Sequence, residues 1–127
     1  MEPKLRVVLV EDDLDLAEVM QAALEHEGLD VSVAHDGQAG LELIRRERPE
    51  VVITDLVMPV LDGLQLIERL RAGAASPPIV AISAIGARLR LARELGAEEA
   101  LVKPVPPSEL AACARKLSRR ARAAATA

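Results

Sequence analysis

Apolar and polar positions follow two periods along this chain. Leu5 to Val10, Val51 to Thr54 and Ile79 to Ile82 are short, nearly uninterrupted runs of aliphatic and β-branched residues. Runs of that kind predict strands buried on both faces, as in a parallel sheet. Asp30 to Ala34 alternates instead, with Val31 and Val33 facing one way, which suits a strand nearer the sheet edge. Ala100 to Val102 is a short fifth run. Between the runs the period lengthens to that of a helix. Leu16, Met20, Ala23 and Leu24 form one stripe, Leu41 and Ile44 a second, and Leu64, Ile67 and Leu70 a third. Leu91 and Leu95 give a fourth helix an inward face, with Arg88, Arg90 and Arg93 outward. Leu110, Cys113 or Ala114, and Leu117 give a fifth.

The breaks between elements agree with this division. Gly28 and Gly96 stand where helices end, and Pro49 stops a helix before the central strand. Asp36-Gly37 and Asp62-Gly63 open helices, and Pro107 suits a first helical turn. Gly40 sits inside the second helix and should weaken it by about 1 kcal/mol relative to Ala. Five strand–helix pairs in alternation predict a parallel sheet with helices on both faces. The strands at Leu5, Val51 and Ile79, being the most uniformly apolar, belong in its middle. From Ser118 to Ala127 the apolar stripe gives way to Arg and Ala, which reads as a fraying helix end or a linker stub.

Composition narrows the class. The 127 residues suit one domain. Half of them are hydrophobic and none is aromatic, so Leu, Val, Ile, Ala and Met must fill the core. A net charge of −4 gives no reason to expect nucleic acid or an acidic membrane as the main partner. The lone Cys113 excludes an internal disulfide and fits a reducing compartment. The start lacks a signal-peptide pattern, and no apolar stretch approaches the ~20 residues of a membrane span. The expected location is cytoplasmic. His26 and His35 lack metal-ligand spacing and read as surface residues.

The candidate chemistry lies where the predicted strands stop. The first ends in Glu11 and Asp12, the third in Asp55, the fourth in Ser83 and the fifth in Lys103. In a parallel sheet these ends share one edge, where open α/β sheets place their ligand crevices. Three carboxylates gathered there would oppose one another's ionisation. A hard divalent cation such as Mg²⁺ relieves that repulsion, because it favours oxygen ligands and leaves positions for phosphate oxygens. A carboxylate beside it can act as a phosphoryl acceptor. Ser83 and Lys103 could then meet charge on the transferring group. Asp13 and Asp62 read as helix caps.

These residues lie within longer motifs: Leu9-Val10-Glu11-Asp12-Asp13, Asp55-Leu56-Val57-Met58-Pro59 with Asp62-Gly63, Ile82-Ser83-Ala84, Gly96-Ala97-Glu98-Glu99 and Leu101-Val102-Lys103-Pro104. In that order the chain resembles the receiver domain of two-component response regulators, the CheY-like family. The resemblance covers residues 4–117 and leaves 118–127 as a basic tail. It implies a flavodoxin-like, doubly wound, five-stranded parallel sheet of order 2-1-3-4-5, with helices on both faces. It implies that Asp55 accepts a phosphoryl group from a phosphohistidine of a sensor kinase or phosphotransfer protein. Mg²⁺ would be held by Glu11, Asp12, Asp55 and the backbone carbonyl of Val57, while Ser83 and Lys103 bond the phosphoryl group. The Lys103-Pro104 bond would be cis. The domain would be a signalling phosphoacceptor, not an enzyme acting on other molecules, and a monomer or weak dimer that switches a downstream protein or output domain.

Two positions depart from the family pattern. Ala100 stands where Tyr, Phe or His is usual, and Val105 where an aromatic often follows Lys-Pro. Ala100 keeps open the alternative of a degenerate receiver that acts only by protein contact; the intact acid, serine and lysine set argues against it. A haloacid-dehalogenase-type phosphatase would want a second acid two residues after Asp55, where Val57 stands. A flavin or nucleotide binder on the same fold lacks a Gly-rich phosphate loop and a stacking aromatic. The Arg- and Lys-rich stretch from Arg115 to Arg122 suits a helix C-terminus better than DNA contact.

Overall fold

The computed structural model describes residues 3–73 and 75–126. Five strands, β1 (Leu5–Val10), β2 (Leu29–Ala34), β3 (Val51–Asp55), β4 (Ile79–Ser83) and β5 (Glu99–Val102), alternate with five helices. The helices are α1 (Leu14–His26), α2 (Gly37–Glu47), α3 (Gly63–Arg71), α4 (Gly86–Glu94) and α5 (Pro107–Thr126). All strand pairs are parallel and the order is β2-β1-β3-β4-β5, as the resemblance implied. The pairings Val10 with Thr54, Asp55 with Ile82 and Ser83 with Val102 bring the carboxyl ends of the strands nearly level.

Alternate residues of each inner strand go to opposite faces. Val8, Val10, Val52, Ile79 and Ala81 pack under α2, α3 and α4. Val7, Leu9, Val51, Ile53, Val80 and Ile82 pack under α1 and α5. Burying each such side chain favours folding by roughly 1.5–3 kcal/mol, and here aliphatic chains do this without any ring. Three helices start on an aspartate. Asp13, Asp36 and Asp62 accept the backbone N–H of Leu16, Ala39 and Gln65, and Gln65 closes a capping box back onto Asp62.

The opposite edge, where strands begin and helices end, is held by arginines. Arg6 donates to the carbonyls of Glu47 and Arg48 at the end of α2. Arg71 reaches the carbonyls of Gly96 and Pro77, the Ser76 hydroxyl and the Glu98 carboxylate. Arg115 donates to the carbonyl of Glu27 at the end of α1.

The helical stripes differ from the sequence expectation in three places. In α1 the buried residues are Ala17 and Leu24, while Leu16 is 37% exposed. The helix lies close enough to the sheet that a small side chain fits best beneath it. In α4 Leu89 and Ala92 face the core, and Leu91 points outward at 47% exposure. The third is the basic tail: α5 continues without a break to Thr126, Ser118 is buried, and Arg122 pairs with Glu50 at 2.7 Å. Ala and Arg are strong helix formers, so the helix continues after its apolar stripe ends. Ala127 lies outside the described residues. Gly40 has a packing reason, since a Cβ there would come within 2.9 Å of the Val10 side chain.

Candidate functional site

Hydrogen-bonded strands carry the candidate residues to one edge. β1 passes its last residue directly into Glu11, whose N–H donates to Ala34 O at 3.0 Å and so prolongs the pairing with β2. Glu11 is thereby fixed with its side chain 1% exposed. β3 delivers Asp55 at 7% exposure. After β5, Lys103 is held by its N–H to Ser83 O at 3.0 Å. The Lys103-Pro104 peptide is cis.

These side chains meet. Lys103 Nζ lies 3.0 Å from Asp55 Oδ2 and 3.4 Å from Glu11 Oε1. Asp55 Oδ1 accepts the N–H of Leu56 at 2.7 Å and faces the N–H of Val57 at 3.5 Å. One carboxylate oxygen from each of Glu11, Asp12 and Asp55 falls within 4.8 Å of the other two. Three acids thus face one ammonium, leaving two formal negative charges uncompensated. A small dication fits that balance, and an all-oxygen donor set suits Mg²⁺.

The electrostatics follow from burial. Desolvation pushes the Glu11 carboxyl above its ordinary 4.5; the Asp13 backbone N–H pulls it down, and the charge of Asp55 pushes it further up. For Lys103, burial acts to depress the ammonium. The hydrogen bond and charge of Asp55, with Glu11 behind it, outweigh burial and raise its pKa above 10.5.

Ser83 stands apart from this cluster. It is buried at the end of β4, and its Oγ accepts the N–H of Ile85 at 3.1 Å. Among the described residues no hydrogen bond joins its hydroxyl to the side chain of Asp55 or Lys103. Val57 lies on the loop after β3 with its side chain 48% exposed, and Ile85 is 47% exposed on the loop after β4. Asp13 and Asp62 cap helices as expected.

Three contributors were not foreseen. Thr54 is buried and donates its hydroxyl to the Asp55 carbonyl at 2.7 Å. Gly63 lets α3 press on the same backbone, since a Cβ there would sit 2.3 Å from Asp55 O. The sequence signal for Thr54 was its position before the acid, and for Gly63 its place in the Asp62-Gly63 motif that opens α3. His35, exposed at the end of β2, places Nδ1 3.2 Å from the Glu11 carbonyl.

Comparison with known proteins agrees with this geometry. Residues 7–115 match the family model described as response regulator receiver domain. The chain belongs to that family. A probable transcriptional regulator, ycf27 of Guillardia theta, is 36% identical over 127 residues, covering 98% of this chain and 50% of its own. The response regulator MprA of Mycobacterium ulcerans is 35% identical over 119 residues, covering 91% of this chain and 51% of its own. The receiver therefore spans about half the length of these curated relatives. The Francisella response regulator 1452 receiver domain superposes with a TM-score of 0.85 at 30% identity, over 91% of this chain and 98% of that one. The BeF3-activated N-terminal receiver domain of Klebsiella pneumoniae RstA gives 0.82 at 33%, over 90% and 98%. The fold is thus the CheY-like one. No helix among the described residues is long and apolar enough to cross a membrane.

Proposed function

We propose that this receiver is a phosphoacceptor in two-component signalling, with Asp55 taking the phosphoryl group from a phosphohistidine of a sensor kinase or phosphotransfer protein. The observation that carries the reading is the buried Asp55 carboxylate, in contact with Lys103 and gathered with Glu11 and Asp12. A carboxylate oxygen of Asp55 attacks phosphorus. The bond from phosphorus to the imidazole nitrogen breaks, and its electron pair stays on the ring. Lys103 then passes from the carboxylate to a phosphoryl oxygen, a small shift for a flexible ammonium. Ser83 leaves Ile85 N–H and turns its hydroxyl to the same group.

Glu11, Asp12 and Asp55, with the Val57 carbonyl, are the residues that would hold Mg²⁺, which when bound offsets the charge of the acids and of the incoming phosphoryl oxygens. Val57 and Ile85 flank the mouth and slow loss of the phosphoryl group by keeping water from it. The domain works on itself alone, in the cytoplasm, and the Ser83 movement alters binding to a downstream protein or output domain. With Ala100 buried where the family carries a ring, that change passes through the hydroxyl and the loop after β4.

The test is incubation with acetyl phosphate and Mg²⁺ followed by intact mass. The wild type gains one phosphoryl group. Asp55→Asn gains none, and neither does the wild type in chelator. A phosphorylated Asp55→Asn protein would overturn the assignment. For the shielding role, Val57→Asn should lose its phosphoryl group faster than wild type; an unchanged rate would contradict it.

A further inference from the structure

The edge remote from the acids holds a groove of about 630 Å³ between the ends of α2 and α3. Three arginines line it, Arg45, Arg48 and Arg69, and no acidic residue is among the described lining residues. Ile44 and Leu70, both buried, lie beneath it, and Pro49 and Pro77 line its sides. The volume is that of a small-molecule site.

Arginines at helix ends have an ordinary explanation, since cations complement the negative end of the helix dipole. Here that role is already filled. The terminal carbonyls of α2, on Glu47 and Arg48, take the guanidinium of Arg6 from β1. In the last turn of α3, Arg71 reaches away to the turn before β5. Every one of Arg6, Arg71, Arg115 and Arg122 on this edge has a carbonyl or carboxylate partner. The side chains of Arg45, Arg48 and Arg69 have none among the described residues; the same holds for Arg46 and Arg119, but only those three share this groove.

Arg48 stands where α2 ends. Its φ of 49 is left-handed, at a helix C-cap. Pro49 after it disfavours a right-handed helical backbone there, and glycine is the residue that takes the left-handed one without strain. The chain instead keeps a long cationic side chain there, at the groove. That left-handed cap closes α2, with the Arg48 N–H on Ile44 O, and it sets Arg48 beside Arg45 and Arg69 at the groove.

We propose that this groove binds a small phosphate-bearing anion of the nucleoside diphosphate class. The planar guanidinium fork matches phosphate oxygens in pairs, and three such forks suit more than one phosphate. The base or sugar takes the side of the groove lined by Ala75 and Pro77. The site is separate from the phosphoacceptor at the other edge and does not depend on that reading.

The test is an amide NMR titration of the full chain with ADP, in chelator so that the acidic edge holds no cation. Pyrophosphate and a short polyglutamate peptide are titrated in parallel. ADP should shift the signals of Arg45, Arg48, Arg69 and Ser76 saturably, with pyrophosphate acting on the same signals more weakly. The variant carrying Arg45→Gln, Arg48→Gln and Arg69→Gln should bind at least about tenfold more weakly, with an unchanged melting temperature. Arg48→Gly removes one guanidinium and the strained φ together, so it should melt no lower than wild type yet bind ADP less tightly. Asp55→Asn should bind as wild type does. The proposal fails if ADP shifts nothing saturably, if its shifts centre on the acidic edge, or if the triple variant binds unchanged. It fails equally if polyglutamate binds as tightly as ADP, which would make the groove a docking site for acidic protein segments.

Discussion

The two edges of the sheet solve opposite problems. At the amino edge, helices end and leave carbonyls without partners. Arg6, Arg71 and Arg115 each reach across from another element and donate to such carbonyls. There, charge is used to complete hydrogen bonding, and it holds the loops. At the carboxyl edge, Glu11, Asp12 and Asp55 gather against the single ammonium of Lys103. There, charge of one sign accumulates, and the fold bears the repulsion. The lesson is that the same scaffold carries stitching at one end and a poised, destabilising site at the other, and that the two should respond differently to substitution.

The largest effect is expected where packing and site meet. Gly63→Ala puts a Cβ against the Asp55 carbonyl. It should destabilise the fold by at least about 3 kcal/mol and abolish phosphoryl acceptance. Urea unfolding and the acetyl phosphate assay would measure both. Wild-type stability in that variant would show that the two edges are not distinguished by how closely α3 is packed.

Arg71→Ala comes next. It removes hydrogen bonds to Gly96, Pro77, Ser76 and Glu98, which should cost about 2–3 kcal/mol in urea unfolding. The rate of phosphorylation by acetyl phosphate should stay as in wild type. A slowed rate would mean that the amino edge is coupled to the acids and would undo the contrast.

Smaller still is Val60→Gly. Val60 lies on the loop after β3, 80% exposed and with φ 70, a backbone that strains a β-branched residue. Glycine relieves the strain and should stabilise the protein by about 1 kcal/mol. A lower denaturation midpoint would show that the carboxyl edge holds no such strain.

The contrast was half legible in the sequence. Charged residues at the ends of apolar runs named the acidic edge, because a parallel sheet leaves a strand-terminal carboxylate few other places. The same runs put the strands at Leu5, Val51 and Ile79 in the middle of the sheet, while the full strand order came only with the family resemblance. The stitching could not be read. Arg6 looked like an interruption in a strand and Arg71 like one more helical arginine, since their partners are backbone carbonyls over twenty residues away. In α1 and α4 Leu24, Met20 and Leu95 pack inward as expected, but Leu16 and Leu91 were misplaced for a related reason: large residues dominate a periodic reading, while Ala17 and Ala92 are the buried ones. The continuation of α5 rested on propensity, which a search for an apolar stripe does not weigh. Ser83 was placed at the right strand end, but its bond to Ile85 N–H depends on loop geometry.

Glu11 offers the smallest effect and a sign to check. Burial raises its carboxyl pKa in the fold, so the folded chain binds more protons than the unfolded one between 4.5 and the raised value. Stability in chelator should therefore fall as pH rises through that interval. Glu11→Gln, which cannot ionise, should flatten that fall and melt slightly higher than wild type at neutral pH. An identical pH profile in the two proteins would mean that the Glu11 charge is not a burden.

The claim that the acids are gathered for a dication is tested most directly by thermal unfolding of the wild type in chelator and in millimolar Mg²⁺ at neutral pH. Mg²⁺ should raise the melting temperature of the wild type and leave that of Asp12→Asn, Asp55→Asn nearly unmoved. Equal melting of the wild type with and without the ion, or an equal rise in the double variant, would contradict it.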